Sequence, residues 1–427
     1  MSPAIRLQDA ESRNCLLTMD ECYYAKNDKM LSNSLVSTSS AQETLTRVTE
    51  GKSISRREAY DLIQSTDDDL ILSCARKIRD TNNYKIVTFS KKIFIDITNL
   101  CRDTCSYCTY KKDPYSEAAR MMKPSEVISL AELGKRYGCT EALIVTGERP
   151  EQKYGQARDW LKSIGYTSTA EYVGAIGEEL MRKTGLLPHT NAGSLTKKEM
   201  SLLKESNASL GMMLESSSPR LTDVGMPHHA APSKNPKVRL RTLEEAGQLK
   251  IPFTTGLLLG IGETDEEIID SLFLIKEINE KYGHIQEVIL QNFMPKTGTA
   301  MEESSPINMD LFLRIVALSR IILRDINIQV PPNLNPHCFG NLLDAGINDW
   351  GGISPVTIDH VNPEFPWPPL EGVRSATLQK GFALRARLPI YPEFIFKSDN
   401  GFVSDTVRGY VEQLSDSAGL VREEVVN

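Results

Sequence analysis

No run in the 427-residue sequence approaches ~18 consecutive apolar residues, so no membrane-spanning helix is expected. There is no basic excess either: 49 Lys and Arg against 56 Asp and Glu leave a formal charge of −7. That balance argues against a general grip on nucleic-acid phosphates, though not against a local basic patch. The opening residues, MSPAIRLQDAESRNCLL, have no basic segment leading into an apolar one. No secretory leader is therefore expected, and the chain is read as cytoplasmic. No short-period repeat is found. Cysteine is scarce, with eight in all, yet three of the eight fall inside NLCRDTCSYCTY, residues 99–110. In a large chain without a leader, such clustering points to a reducing compartment and to metal or catalytic use rather than to disulfides.

What is present reads as an α/β protein. Hydrophobic residues make up 40% and charged residues 25%, as in ordinary globular chains. The length allows two or three domains or one barrel with additions. Residues 1–42 read as a mobile polar tail, with Cys15 and Cys22 as incidental thiols. Residues 43–86 carry apolar positions at helical spacing and predict two or three amphipathic helices, with Cys74 in their core. Strand-like runs then alternate with helices: IFIDIT (93–98), EALIVT (141–146), LLPHTN (186–191), LGMMLE (210–215), FTTGLLLG (253–260), EVILQN (287–292), NIQVPP (327–332) and DAGINDWGG (344–352). Two helices open with capping boxes, Thr196 with Glu199 and Thr264 with Glu267. Seven strands with a possible eighth fit a closed parallel (β/α) barrel of TIM type over residues 87–360. In a barrel the chemistry sits at the strands' C-terminal ends. Residues 361–427 read as a C-terminal cap, mostly helical from about 373.

The cysteines follow the first strand with the spacing Cys101-x3-Cys105-x2-Cys108. Thiolates are soft ligands suited to iron–sulfur clusters and zinc. A structural zinc site wants four protein ligands, and none lies nearby in sequence, so zinc would need a remote fourth ligand such as His189 or Cys139. A cubane cluster on three cysteines instead leaves one iron open. Spacing alone leaves both readings standing.

This pattern, with Tyr107 before the last cysteine, resembles the signature of radical S-adenosylmethionine (SAM) enzymes. The resemblance implies one 4Fe–4S cluster on Cys101, Cys105 and Cys108, with SAM chelating the open iron and yielding a 5′-deoxyadenosyl radical. It also implies SAM contacts. Gly147 and Glu148, in TGE (146–148), would face the amino group, with Thr146 where the family has glycine. Glu215 would face the ribose, Arg239 the carboxylate, and Gly256 and Gly260, in GLLLGIGE, the adenine.

Longer strings, among them ALIVTGERPE, QNFMPKTGTAM, PPNLNP and INDWGGISPVTIDHVNPEFPWP, resemble the deazaflavin-forming subunits of FO synthase, over about residues 43–395. These strings favour that reading over the sister hydroxybenzyl-transferring subunit and over a non-enzymatic metal-binding barrel. The implied reaction closes the ring of 7,8-didemethyl-8-hydroxy-5-deazariboflavin (FO) and releases ammonia, a step of coenzyme F(420) biosynthesis. Its substrate would be the 5-amino-5-(4-hydroxybenzyl)-6-(ribitylimino)uracil adduct, delivered by the sister subunit, with a ferredoxin- or flavodoxin-type electron donor. One triad implies one radical step. Asn292, Asn333, Asn335 and Asp349 are the expected substrate contacts, with Trp350 facing the same chamber and His360 transferring protons. For the asparagines, turn chemistry is the alternative; for His360, a loop hydrogen bond. His228 and His229 are expected in solvent, and Cys338 is a buried thiol that could border the site.

Overall fold

A computed structural model of the chain describes residues 38–65, 67–82, 85–397 and 400–426. Most of the expected tail, with Cys15 and Cys22, lies outside the described residues. Three helices lead in: α1 (Thr38–Thr49), α2 (Arg56–Ile63) and α3 (Asp68–Asn82). The first therefore starts a few residues earlier than expected. Ser55 and Glu58 form a capping box that sets the start of α2. Leu45, Val48, Leu62, Ile71, Cys74 and Ile78 are buried, and α3 packs mainly on the helix Met309–Leu323.

Eight parallel strands close the barrel: β1 (Ile86–Thr98), β2 (Glu141–Thr146), β3 (Leu187–Asn191), β4 (Ser209–Gly211), β5 (Phe253–Leu259), β6 (Ile285–Asn292), β7 (Asn327–Gln329) and β8 (Asp349–Ile353). Closure depends on the length of β1. Its upper half, Lys92–Thr98, pairs with β2, while Thr88–Lys91 pairs with β8 on the opposite edge. The expected helical cap contains a strand that the sequence reading missed. ALRAR, Ala383–Arg387, forms β9 and pairs in parallel with Ile86–Ser90. Since β8 occupies one edge of β1, β9 must lie on the other, directly below β2.

Alternation along β1 sorts its side chains between two environments. Ile93, Ile95 and Ile97 are fully buried beneath the surrounding helices. Gly134 lets the helix Pro124–Arg136 approach so closely that a Cβ there would fall 2.8 Å from Ile93 Cβ. Lys92 and Phe94 face inward and line a chamber. Barrel interiors are ordinarily filled by branched aliphatic side chains. Here Glu141, His189, Thr254, Glu287 and Gln329 line the interior instead, and a cavity of about 350 Å³ runs through it.

Below the cavity lies a buried ion cluster. Arg387, at the end of β9, donates from Nε to Asp349 Oδ2 (2.6 Å) and from Nη2 to Glu287 Oε1 (2.9 Å) and Asp349 Oδ1 (3.1 Å). Tyr391 donates to Glu287 Oε1 (2.8 Å) and Thr254 to Glu287 Oε2 (3.0 Å). Two carboxylates thus share one guanidinium, with hydroxyls satisfying the remaining lone pairs. Removing the cation would strand both carboxylates in the interior. Arg387→Met should therefore destabilise the fold by about 3–5 kcal/mol, read as a lowered denaturant midpoint. A midpoint equal to the parent's would show that the cluster is not what closes the barrel floor.

Candidate active site

Beyond Thr98 the chain leaves β1 and forms the cysteine loop, clamped from two sides by main-chain bonds. On one side Gly147 N–H donates to Thr98 O (2.7 Å), Arg102 N–H to Glu148 O (2.7 Å) and Glu148 N–H to Cys101 Sγ (3.2 Å). On the other, Thr104 N–H donates to Ala230 O (2.9 Å) and Ser106 N–H to Pro227 O (3.0 Å). The first clamp requires a glycine, because a Cβ on Gly147 would sit 1.9 Å from Leu100 O. Gly147 thus fits the end of β2 against the cysteine loop.

Cys101, Cys105 and Cys108 are free thiols of intermediate exposure. They line the chamber and also a second hollow on its outer side, of about 440 Å³, bordered by Lys111, Lys153 and Tyr154. Burial pushes the Cys101 thiol up to about 11 and Cys105 to about 12, so thiolates there call for a bound cation. Among the described residues no three His, Cys, Asp or Glu side chains converge on one ion position. Neither remote zinc ligand is available to the triad. Cys139 precedes β2, at the opposite barrel end, and His189 stands in register with Leu143 and Phe94, four residues short of Thr98, from which the cysteine loop leaves. Three soft donors around a hollow are a donor set that would fit an iron–sulfur cluster, which Cys101, Cys105 and Cys108 would hold. On the chamber wall, Thr146 Oγ1 and Asn333 Oδ1 are buried without a hydrogen-bond partner among the described residues, as expected of a site that takes a polar ligand.

Tyr107, Glu148, Glu215 and Arg239 line this chamber. Arg239 is fixed by Nε to Ser233 O (2.9 Å) and Nη1 to Met213 O (2.6 Å). Glu215 has φ +66° and is ion-paired with Lys234, a wall cation that no sequence motif marked. The Glu148 carboxylate is engaged elsewhere: it accepts from Ser194 N–H (2.9 Å) and Ser194 Oγ (2.8 Å). Gly193 makes room for it, since a Cβ there would lie 2.0 Å from Oε2. This acid braces the loops after β2 and β3. Gly256 and Gly260 are not on the wall. A Cβ on Gly256 would strike Ile289 O at 2.2 Å, and Gly260 turns at φ +97° with its N–H on Glu263. Both are local packing and turn requirements.

The expected solvent position of His228 is corrected. It is buried, its Nε2 lies 3.0 Å from Tyr107 Oη, and burial pushes its pKa down to about 3. His229 is exposed as expected.

Of the expected substrate contacts only Asn333 lines the chamber, held by Asp359 (2.9 Å) and Phe365 O (3.2 Å). Asn292 and Asn335 bond each other behind the wall (2.9 Å). Asp349 belongs to the Arg387 cluster, and Trp350 faces outward, donating to Thr377 Oγ1 (3.0 Å). His360 packs edge-on against Phe94 and, like Cys338, is not among the lining residues. The loop after β8 instead contributes Asp359, Asn362 and Trp367. Lys92 and Arg387 were also overlooked, and His189, weighed only as a remote zinc ligand, lines the chamber. The signal for Lys92 was available in KIFID, where alternation places it on the face of Phe94.

Residues 95–275 match the Radical SAM superfamily. The 7,8-didemethyl-8-hydroxy-5-deazariboflavin synthase of Methanopyrus kandleri is 47% identical over 338 residues, which is 79% of this chain and 100% of that protein. Its counterpart in Methanocaldococcus jannaschii is also 47% identical, over 80% and 94% of the two chains. The FO synthase of Streptomyces avermitilis is 42% identical over 89% of this chain, but only 45% of that longer protein is covered. Among solved structures, the FeFe-hydrogenase maturase HydG from Carboxydothermus hydrogenoformans has a TM-score of 0.70 over 91% of this chain and 87% of its own, at 19% identity. Methylornithine synthase (PylB) scores 0.63 over 83% and 99%, at 18% identity. At such identities the likeness is one of fold.

The tight fit at the cysteine loop predicts a contrast between two glycines. Gly147→Ala should destabilise by about 1–3 kcal/mol, as overpacking against backbone does. Gly409→Ala should instead stabilise by up to about 1 kcal/mol, because Gly409 is exposed in the helix Asp405–Leu414 with nothing near its Cβ position. Denaturant midpoints moving in the same direction for both would contradict the close approach.

Proposed function

Because the chain belongs to the 7,8-didemethyl-8-hydroxy-5-deazariboflavin synthases of the radical SAM superfamily, we propose that Cys101, Cys105 and Cys108 hold one 4Fe–4S cluster and that SAM occupies the adjoining chamber. The activity is the family's, formation of the deazaflavin FO in coenzyme F(420) biosynthesis. The observation that carries the site assignment is the clamped triad of half-buried thiols opening on a polar chamber.

When bound, cluster and SAM supply a reductively generated adenosyl radical that can take a hydrogen atom from the substrate. The chain's own residues bind, orient and shield. Arg239, already held by two backbone carbonyls, offers a fixed cation for the SAM carboxylate, and Lys234 adds a second. Glu215 is the acceptor for ribose hydroxyls. Backbone groups at 146–148 face the amino group, while the Glu148 side chain keeps them in place through Ser194. Tyr107, bonded to a neutral His228, forms the wall beside the thiols. Toward β7 and β8, Asn333, Asp359, Asn362 and Trp367 surround the space for the hydroxybenzyl–ribityliminouracil adduct. A sister radical SAM subunit supplies that adduct, and a low-potential ferredoxin- or flavodoxin-type donor supplies the electron.

Anaerobically reconstituted protein given the adduct, SAM and a reductant should produce deazaflavin fluorescence and ammonia. Given only tyrosine and 5-amino-6-(ribitylamino)uracil, it should produce neither. Cys105→Ala should abolish 5′-deoxyadenosine formation. A Cys105→Ala protein with full 5′-deoxyadenosine yield, or one zinc per chain with little iron after anaerobic purification, would remove the cluster assignment.

A further inference from the structure

Two polar groups on the inner wall of the barrel, below the thiols, have no hydrogen-bond or ion-pair partner among the described residues. The first is on His189. Its Nδ1 lies 2.6 Å from Ser209 Oγ, and Ser209 donates its single hydroxyl proton to Pro389 O. Ser209 must therefore accept from His189, which places the imidazole proton on Nδ1 and leaves the Nε2 lone pair unused. Burial pushes the ring's pKa down to about 4, so it is neutral. The charged groups acting on it are Lys92 from β1, Glu141 from β2 and Arg387 from β9. Gly211 on β4 keeps Nε2 open, since a Cβ there would stand 2.8 Å from it.

The second is the Lys92 ammonium. It lies 4.8 Å from the Trp367 ring centroid and 5.6 Å from that of Phe94. It makes no ion pair or side-chain hydrogen bond among the described residues; burial pushes its pKa down, and Glu141, Asp359 and Glu287, acting at longer range, favour the charged form. Gly352 on β8 makes its space, because a Cβ there would fall 2.4 Å from Nζ. Phe94 pairs in register with Leu143, and Leu143 with His189. Both side chains line the one chamber, and the ammonium acts electrostatically on the imidazole. A bare acceptor and a bare cationic donor thus stand in one chamber, with aromatic rings beside the donor.

We propose that His189 and Lys92 form the subsite for a weakly acidic, planar X–H group of the substrate, His189 accepting its hydrogen and Lys92 facing the oxygen that carries the conjugate charge. The inference rests on the activity assigned above, whose substrate has two such groups, the phenol and the uracil imide. A phenol would give its O–H to Nε2 and present the same oxygen to the ammonium. An imide would give its N–H to Nε2 and present the neighbouring carbonyl. Both have the donor–acceptor pairing that this wall lacks.

The test is anaerobic calorimetry on the reconstituted holoenzyme with two probes, 4-methylphenol and 5-amino-6-(ribitylamino)uracil. Lys92→Met, His189→Phe and Gly211→Ala are compared with the parent; the last keeps both polar groups and only blocks Nε2. Each variant is checked for the parent's iron content and a cooperative melt. At least one probe should lose tenfold or more in affinity in all three variants, and the probe affected identifies the end of the substrate that is read. If correctly loaded variants bind both probes within twofold of the parent, the subsite is wrong. The same holds if the parent binds neither probe. Should a variant fail to load iron, the Gly211→Ala arm alone decides by the same criterion. In a parallel arm the parent is given the adduct, SAM and reductant. Absence of deazaflavin there would overturn the activity and the subsite with it, whereas deazaflavin formation with unchanged probe binding in the variants overturns the subsite alone.

Discussion

One buried guanidinium sets the terms for the rest of this barrel. An interior that stays open must be walled by groups that tolerate a wet or ligand-filled space, and here Glu287 is one of them, with Asp349 just behind it, both buried. Two carboxylates at that depth are tenable only beside a cation with hydrogen bonds to spare. Arg387 supplies three bonds to them, while Tyr391 and Thr254 take up remaining lone pairs. The guanidinium arrives on β9, and β9 finds a place only because β1 extends below β2. Apolar residues in place of this cluster would fold well, but they would fill the barrel as such interiors are usually filled.

The same strand also fixes the depth of the chamber. Lys92 and Thr98 are six residues apart on β1, about 20 Å at the rise of an extended strand. The cysteine loop leaves from the upper end, and the charged floor lies near the lower. Main-chain bonds from two loops hold the upper end, so the thiols are positioned by backbone rather than by flexible side chains. Such rigidity suits a metal centre, whose ligands need fixed geometry before the metal arrives. A chamber of this depth also separates the two kinds of chemistry the family's reaction requires. On the assignments proposed above, radical formation would stay at the mouth, and recognition of the distal, acidic end of the substrate would take place below.

The barrel and the triad were legible because their signals are local. Apolar runs alternating with capped helices announce a parallel sheet, and all eight strands fall where those runs are. Strand β9 was hidden because ALRAR is short, basic and flanked by helical periodicity; its pairing depends on a strand about 300 positions earlier in the chain. The cysteines stood out by spacing as metal-ligand candidates, while the choice of a cluster over zinc came from the family resemblance. The substrate side was not legible, because side-chain direction at strand ends and in loops is set by tertiary packing. Asn335 donates to Asn292 behind the wall, Trp350 points to a helix, and His360 packs beside the wall. His228 does lie in a loop, but it was expected in solvent and is instead buried on Tyr107.

The chamber's chemistry is carried by long polar side chains, and its space is made by residues that contribute no chemistry. Gly211 clears His189 Nε2, Gly352 clears the Lys92 stem and ammonium, and Gly351, at φ +69°, clears the Gln329 amide, which would otherwise lie 2.0 Å from a Cβ. Each glycine sits on a strand facing the side chain it accommodates, so the requirement is spatial and not visible as a sequence motif. It follows that the pair in DWGGISP is a geometric condition for the floor of the chamber, with one glycine needed for a backbone turn and both for volume. A barrel with the same cysteines and the same polar residues, but with alanine at these positions, would keep every functional group and lose the space in which they act.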